Sequence, residues 1–106
     1  MENTAPSYNM GSIPKHITER LKRIVEQTSG KTEDFVQELI PAYVIKGNGP
    51  MYCLLTDNRT FVKVERGITV YVVEENYSSD GKTLIYSING DILLIEDEQI
   101  ELIGFD

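Results

Sequence analysis

Residues 82–95 read "KTLIYSINGDILLI", and the reading of this stretch decides the fold. Two runs of β-branched and large apolar residues flank Asn89-Gly90, the dipeptide that favours a two-residue type I′ hairpin turn. Such a turn sets an expected register: Ile88 opposite Asp91, Ser87 opposite Ile92, Tyr86 opposite Leu93 and Ile85 opposite Leu94. A hairpin with one wet face alternates apolar with polar residues. Here both faces are mostly apolar, so one is expected to line a barrel and the other to meet helices or a second subunit.

Alternation of the strand type continues on both sides. "AYVIK" (42–46), "MYCLLT" (51–56), "TFVKV" (60–64), "GITVYVVEE" (67–75) and "IELI" (100–103) are short strand candidates, separated by "GNGP", "DN", "NYSSDG" and "EDEQ". Gly, Asn, Asp and Ser at those junctions are turn formers. Before Ala42 the period changes. In "SIPKHITERLKRIVEQ" the residues Ile13, Ile17, Leu21, Ile24 and Val25 recur at helical spacing, with Ser12 as a cap and Pro14 tolerated in the first turn. Gly30 ends this helix. A second, shorter helix is expected in "TEDFVQELIP", capped by Thr32, with Phe35, Val36, Leu39 and Ile40 as its apolar face and Pro41 as its stop. Three parts result: a flexible tail over 1–11, a helical hairpin over 12–41, and an antiparallel barrel-like unit over 42–106, together one compact domain.

Size and composition suit that reading. A chain of 106 residues with 41% apolar and 25% charged residues has enough core to fold without metals or disulfides. A single cysteine, Cys53, excludes an internal disulfide and fits a reducing cytoplasm. No apolar run reaches the roughly 18 residues of a membrane span, so a cytoplasmic location is the default.

Charge is the least even property of the chain. The formal net charge is −7, yet residues 74–106 hold nine acids and one base, Lys82, a local net of −8. Glu74, Glu75, Asp80, Glu96, Asp97, Glu98 and Glu101 fall at turns or at an outward strand position, so they need not enter the core. Together with Tyr77 they form the candidate partner-binding set. Such a field repels nucleic-acid phosphates and attracts basic partners.

Residues 51–103 resemble small SH3-like β-barrels, especially the short barrel proteins common in bacterial viruses. The resemblance is carried by "GITVYVVEENYSSDGKTLIYSINGDILLIEDEQIELI": a glycine opening a strand with Tyr71 and Val73, a loop, an Asn-Gly hairpin and a terminal Glu-Leu-Ile. It implies a binding module without catalysis, of the kind phages encode. The stretch "SIPKHITERLKRIVEQTSGKTEDFVQELI" is similar to ribbon-helix-helix repressors through Ile13-Pro14, Ile17, Leu21, Gly30, Val36 and Leu39. In that family a dimeric two-stranded ribbon reads the major groove. Here the ribbon would come from "SYNMGSI", which places no base before Lys15. The fold class expected is therefore α+β: a helical hairpin followed by a five- or six-stranded SH3-like barrel or strongly curved sheet.

Catalytic and metal chemistry find no pattern. His16, the only histidine, falls on the polar side of the first helix near Arg20 and Arg23. Cys53 lies inside a strand with no His or Lys beside it to favour a thiolate. "DNRTFVKVERGI" begins with Asp57 but sets Arg59, Phe61 and Lys63 where a calcium loop needs oxygen ligands. No cofactor, catalytic residue or metal ligand is expected. The function expected is non-enzymatic: an acidic inhibitor or modulator that docks on a basic surface of a host or partner protein, as a DNA mimic if its carboxylates are spaced like phosphates. Two alternatives stand beside it, a dimeric DNA-binding regulator and a small-ligand or nucleotide module built on the six tyrosines. A homodimer is compatible with either.

Overall fold

The computed structural model describes residues 13–28 and 40–105. Among these there is one α-helix, α1 (Lys15–Thr28). Seven strands follow: β1 (Pro41–Ile45), β2 (Pro50–Leu54), β3 (Phe61–Glu65), β4 (Thr69–Glu74), β5 (Thr83–Ser87), β6 (Ile92–Ile95) and β7 (Ile100–Phe105). A 3₁₀ turn at Asp97–Gln99 leads into β7. All seven strands join one antiparallel sheet in the order β3-β2-β6-β5-β4-β1-β7.

That order makes three links short for the distance they cover. Residues 46–49, 66–68 and 96–99 each join strands four places apart. In a flat sheet four places span about 19 Å. Fully extended, links of this length reach only roughly 14 to 18 Å, and these are not extended. Gly47, Gly49 and Gly67 have φ of +95°, +84° and +92°, a conformation open to glycine at no steric cost, and 97–99 is coiled. The sheet must therefore curl until the linked strands approach one another. The links then meet: Lys46 N–H donates to the Gln99 carbonyl at 2.9 Å and Gly67 N–H to the Ile45 carbonyl at 2.7 Å.

The curl gives the hairpin two buried faces. Leu84, Ile92 and Leu94 face the helix side, where Tyr71 and Val73 join the α1 stripe Ile13, Ile17, Leu21 and Ile24. Ile85, Leu93 and Ile95 face the other way, into a cluster with Ile45, Cys53, Val64, Val70 and Ile100. The second cluster is drawn from all seven strands and no helix, so the sheet covers its own inner face. Helix α1 starts later than expected: Pro14, expected inside the first turn, lies just before Lys15. The Pro14 carbonyl accepts from the N–H groups of Ile17 and Thr18 at 3.0 Å each, and the buried positions are those of the apolar stripe.

Several expectations are corrected. The helical hairpin followed by a barrel is replaced by one helix among the described residues and an open sheet of seven strands, not five or six. Of the second helix expected over 32–41, residues 32–39 lie outside the described residues, as do the 1–11 tail, the Ser12 cap and Gly30, while Ile40 precedes β1 in no helix. Pro41 opens β1, a position where its missing N–H costs no internal ladder bond. The barrel does not close: β3 and β7 do not pair with each other. Strand β3 carries Lys63, an edge-guarding residue, at its centre, and β7 carries an extra residue, Ile103, between its pairs Tyr43↔Leu102 and Ala42↔Gly104.

The hairpin register is also corrected, by one residue. Tyr86 faces Ile92, Ile85 faces Leu93 and Leu84 faces Leu94. A type I′ turn needs φ > 0 at both Asn89 and Gly90, but of the two only Gly90 is positive, at +97°. Gly90 N–H bonds the Ser87 carbonyl and Ser87 N–H bonds the Asp91 carbonyl, each at 2.8 Å, closing a three-residue loop of Ile88, Asn89 and Gly90. The buried Ser87 hydroxyl accepts Asp91 N–H at 3.1 Å. With both strands apolar on both faces, the side-chain pattern does not select a register, so the turn does.

In nuclear Overhauser spectra, strong Hα–Hα contacts are expected for Tyr86–Ile92 and Leu84–Leu94, the closely spaced pairs. A contact between Ile85 and Leu94 would show the two-residue turn instead. Leu93→Ala and Ile17→Ala, on opposite faces, should each cost roughly 2–5 kcal/mol in denaturant unfolding.

Candidate functional site

The acidic residues do not lie in one row. Glu74 ends β4 just past an extra residue, Val73, which breaks the β4–β5 register between Val72↔Ile85 and Glu74↔Leu84. A bulged residue leaves ladder groups unpaired. Arg20 of α1 takes them up, donating to the Val73 carbonyl at 3.0 Å and to the Glu74 carboxylate. Glu74 thus ties the helix to the sheet. With both side chains partly exposed, that ion pair contributes at most about 1 kcal/mol.

The Thr83↔Ile95 pairing sets Lys82 beside Glu96. The Lys82 ammonium bonds the Asp80 carboxylate and lies 3.8 Å from Glu96 Oε2. The Ser78 hydroxyl donates to the other Asp80 oxygen. The Lys82 hydrogen bond, then that of Ser78, holds the Asp80 carboxyl below its ordinary range, and Asp80 in turn raises Lys82. The structure so brings Asp80 and Glu96 together around the only base of residues 74–106. Glu75, Asp97, Glu98 and Glu101 are exposed. Asp97 and Glu98 ride on the link into β7. Glu101 lies on β7 itself, level with Val44 and hence with Thr69 at the start of β4. That is roughly 17 Å along the strand direction from Glu74.

Tyr77 is placed differently from an open docking residue. Its ring is half-buried against the helix-side cluster, its N–H donates to the Lys82 carbonyl at 2.8 Å, and burial raises its phenol pKa. Of the other residues singled out in the sequence, His16 is exposed. Cys53 is buried, and desolvation pushes its thiol up to about 11 against the smaller lowering effect of Arg66. A thiol so held is protonated at neutral pH and a poor nucleophile. Asp57 caps the β2–β3 turn. One carboxylate oxygen accepts from Arg59 N–H and Thr60 N–H at 2.8 Å each, and the other from the Thr60 hydroxyl at 2.6 Å. No group of three metal-ligating side chains comes together among the described residues, and no helix among them is long and apolar enough to cross a membrane.

A cleft of about 170 Å³ between the β2–β3 hairpin and the 96–99 link was not anticipated. Register places Tyr52 opposite Lys63 and Leu54 opposite Phe61, all on one face. Tyr52 and Phe61 are 64% and 62% exposed, so α1 does not cover this end of the sheet. Arg66, Glu96 and Gln99 supply its polar groups. Arg66 is steadied by its own donation to the Asn48 carbonyl at 3.2 Å. The sequence held one signal of this face: Lys63 shares the alternation of Phe61, which marks the side that meets water. The cleft can bind through ring faces and charge. Its one thiol is the protonated Cys53.

No family model matches the sequence, and no curated protein or solved structure matches it either.

The Asp57 cap gives a pH dependence. Hydrogen bonds to Thr60 and then to Arg59 N–H lower its carboxyl from 3.8 to about 2. A carboxyl depressed in the folded state stabilises above its unfolded value and loses that contribution as pH falls through the folded one. The β2–β3 turn should therefore hold its stability down to about pH 4 and lose it toward pH 2. Carboxyl-detected NMR titration should place Asp57 near 2, and Asp57→Ala should flatten this part of the acid-unfolding profile.

Proposed function

We propose that the protein is a non-enzymatic binding protein that docks on a basic surface of a partner protein, inhibiting or modulating it. The observation that carries this reading is the local net of −8 over residues 74–106, whose one base is already held by Asp80 and Glu96. Glu75, Asp97, Glu98 and Glu101 stay exposed, and no neighbouring base within that stretch offsets them. Attraction between such a field and a basic surface steers encounter and fixes orientation more than it adds affinity. Exposed Tyr52 and Phe61 beside Glu96 supply the apolar anchors that interfaces need near their centre. Glu74 and Tyr77 serve the fold in this reading: one anchors α1, the other fills the helix-side cluster.

Exposed charges are screened beyond about 8 Å at physiological ionic strength, so the interaction should be salt-sensitive. With the chain as bait, capture of a basic partner is expected at about 0.05 M salt and should fall at least tenfold at about 0.5 M. A variant carrying Glu75→Gln, Glu96→Gln, Asp97→Asn, Glu98→Gln and Glu101→Gln should lose the same capture at low salt. Retention unchanged by salt and by the five substitutions would eliminate this function. Tight binding to duplex DNA in a gel shift would replace it with a nucleic-acid role.

A further inference from the structure

The two edges of the open sheet are not alike. Edge strands present unpaired N–H and C=O groups, and proteins guard them with lysine, proline, bulges or coverage. Strand β3 has Lys63 at its centre. Strand β7 reads "IELIGF" and has neither base nor proline. No strand pairs with its outer side among the described residues. Leu102 and Ile103 on this edge are 54% and 57% exposed. The extra residue Ile103 disturbs only the far half, and Ile100, Glu101 and Leu102 keep regular pairing with β1.

We propose that residues 100–103 of β7 accept an added antiparallel or parallel strand from a partner protein, one that alternates basic with apolar residues. This rests on the reading of a basic partner and adds to it how the partner is gripped. Main-chain hydrogen bonds to the free edge supply the grip, as in other strand-addition complexes, and side chains on alternate positions supply selectivity. Ile100 packs in the inner cluster, so along β7 alternate side chains leave for opposite faces. An apolar partner residue covers Leu102 on one face. A lysine or arginine on the other meets Glu101, with Asp97 and Glu98 at the head of the strand. A second copy fits poorly. Antiparallel pairing of β7 with itself, centred on Glu101, sets the two Glu101 carboxylates opposite each other, and like charges on facing strands repel.

The probe is a pair of octapeptides that alternate lysine and valine, one unmodified and one N-methylated at every residue. Their charge and side chains match, but the methylated peptide lacks N–H donors along both edges. Titrated into the ¹⁵N-labelled full chain, the unmodified peptide should shift the amides of 100–103 and slow their exchange. It should bind at least tenfold more tightly than the methylated peptide. Leu102→Lys, at an exposed position that tolerates the change, should weaken it about as much. Equal affinity of the two peptides, or shifts confined to residues 74–82, would remove the strand pairing while leaving charge-driven docking intact. Failure of both peptides to bind would also remove it, and the salt and neutralisation experiment decides the basic partner independently. A doubled mass in sedimentation, abolished by Leu102→Lys, would assign the edge to a second copy and overturn the proposal.

Discussion

Three links of three or four residues each carry the chain between strands that stand four places apart in the sheet, and the rest of the molecule follows from how that gap is closed. A flat sheet would leave its second apolar face in water, since α1 covers only one side. Curling brings Ile45, Cys53, Val64, Val70, Ile85, Leu93 and Ile100 into one cluster. That burial, worth roughly 1.5–3 kcal/mol for each fully buried large apolar side chain as an upper estimate, opposes the strain of bending. Glycines at 47, 49 and 67 let the links turn where other residues would be strained. Arg66 sits where a side chain at Gly47 would press, with its Cδ 3.1 Å from the position of an added Cβ.

The same curl distributes the charge. It runs the 96–99 link from the end of β6 to the start of β7, so the carboxylates of 96–98 connect the Lys82 cluster to the free β7 edge. Glu74 is drawn the other way, to Arg20 on the helix. The acidic tail therefore divides by role: Glu74 holds the helix to a bulge, Asp80 and Glu96 share one ammonium, and Glu75, Asp97, Glu98 and Glu101 meet solvent. Acids at turns and on an outward strand position leave the core apolar, which is how a chain with so many carboxylates at one end still packs.

Openness of the sheet is the counterpart of this arrangement. Closure would have hidden both edges. Instead β3 is left with a lysine in its middle and β7 with two exposed apolar residues and a glutamate. One edge carries a lysine at its centre; the other carries only the bulge at Ile103 in its far half, and its regular half adjoins the acidic link. The aromatic pair Tyr52 and Phe61 stands at the far end of the strand order, on β2 and β3, where α1 stops short.

The sequence by itself determined the α1 stripe, because a 3.6-residue period written by Ile13, Ile17, Leu21 and Ile24 has one amphipathic solution. It also located the strand segments, though not their number in one sheet, since alternating β-branched runs broken by Gly, Asn and Asp are local signals. It placed the carboxylates at turns for the same reason. What only the tertiary structure decided was non-local. The register at Asn89-Gly90 depended on which turn the flanking strands could accept, because two strands mostly apolar on both faces pair about equally well one residue apart. The strand order, and with it the curl, depended on long-range pairs such as Leu54 with Leu94, which no local pattern encodes. The partners of Glu74, Lys82 and Tyr77, and the meeting of Tyr52, Arg66 and Glu96 in one cleft, came from that order, because charge and ring contacts between distant segments exist only once the chain is folded.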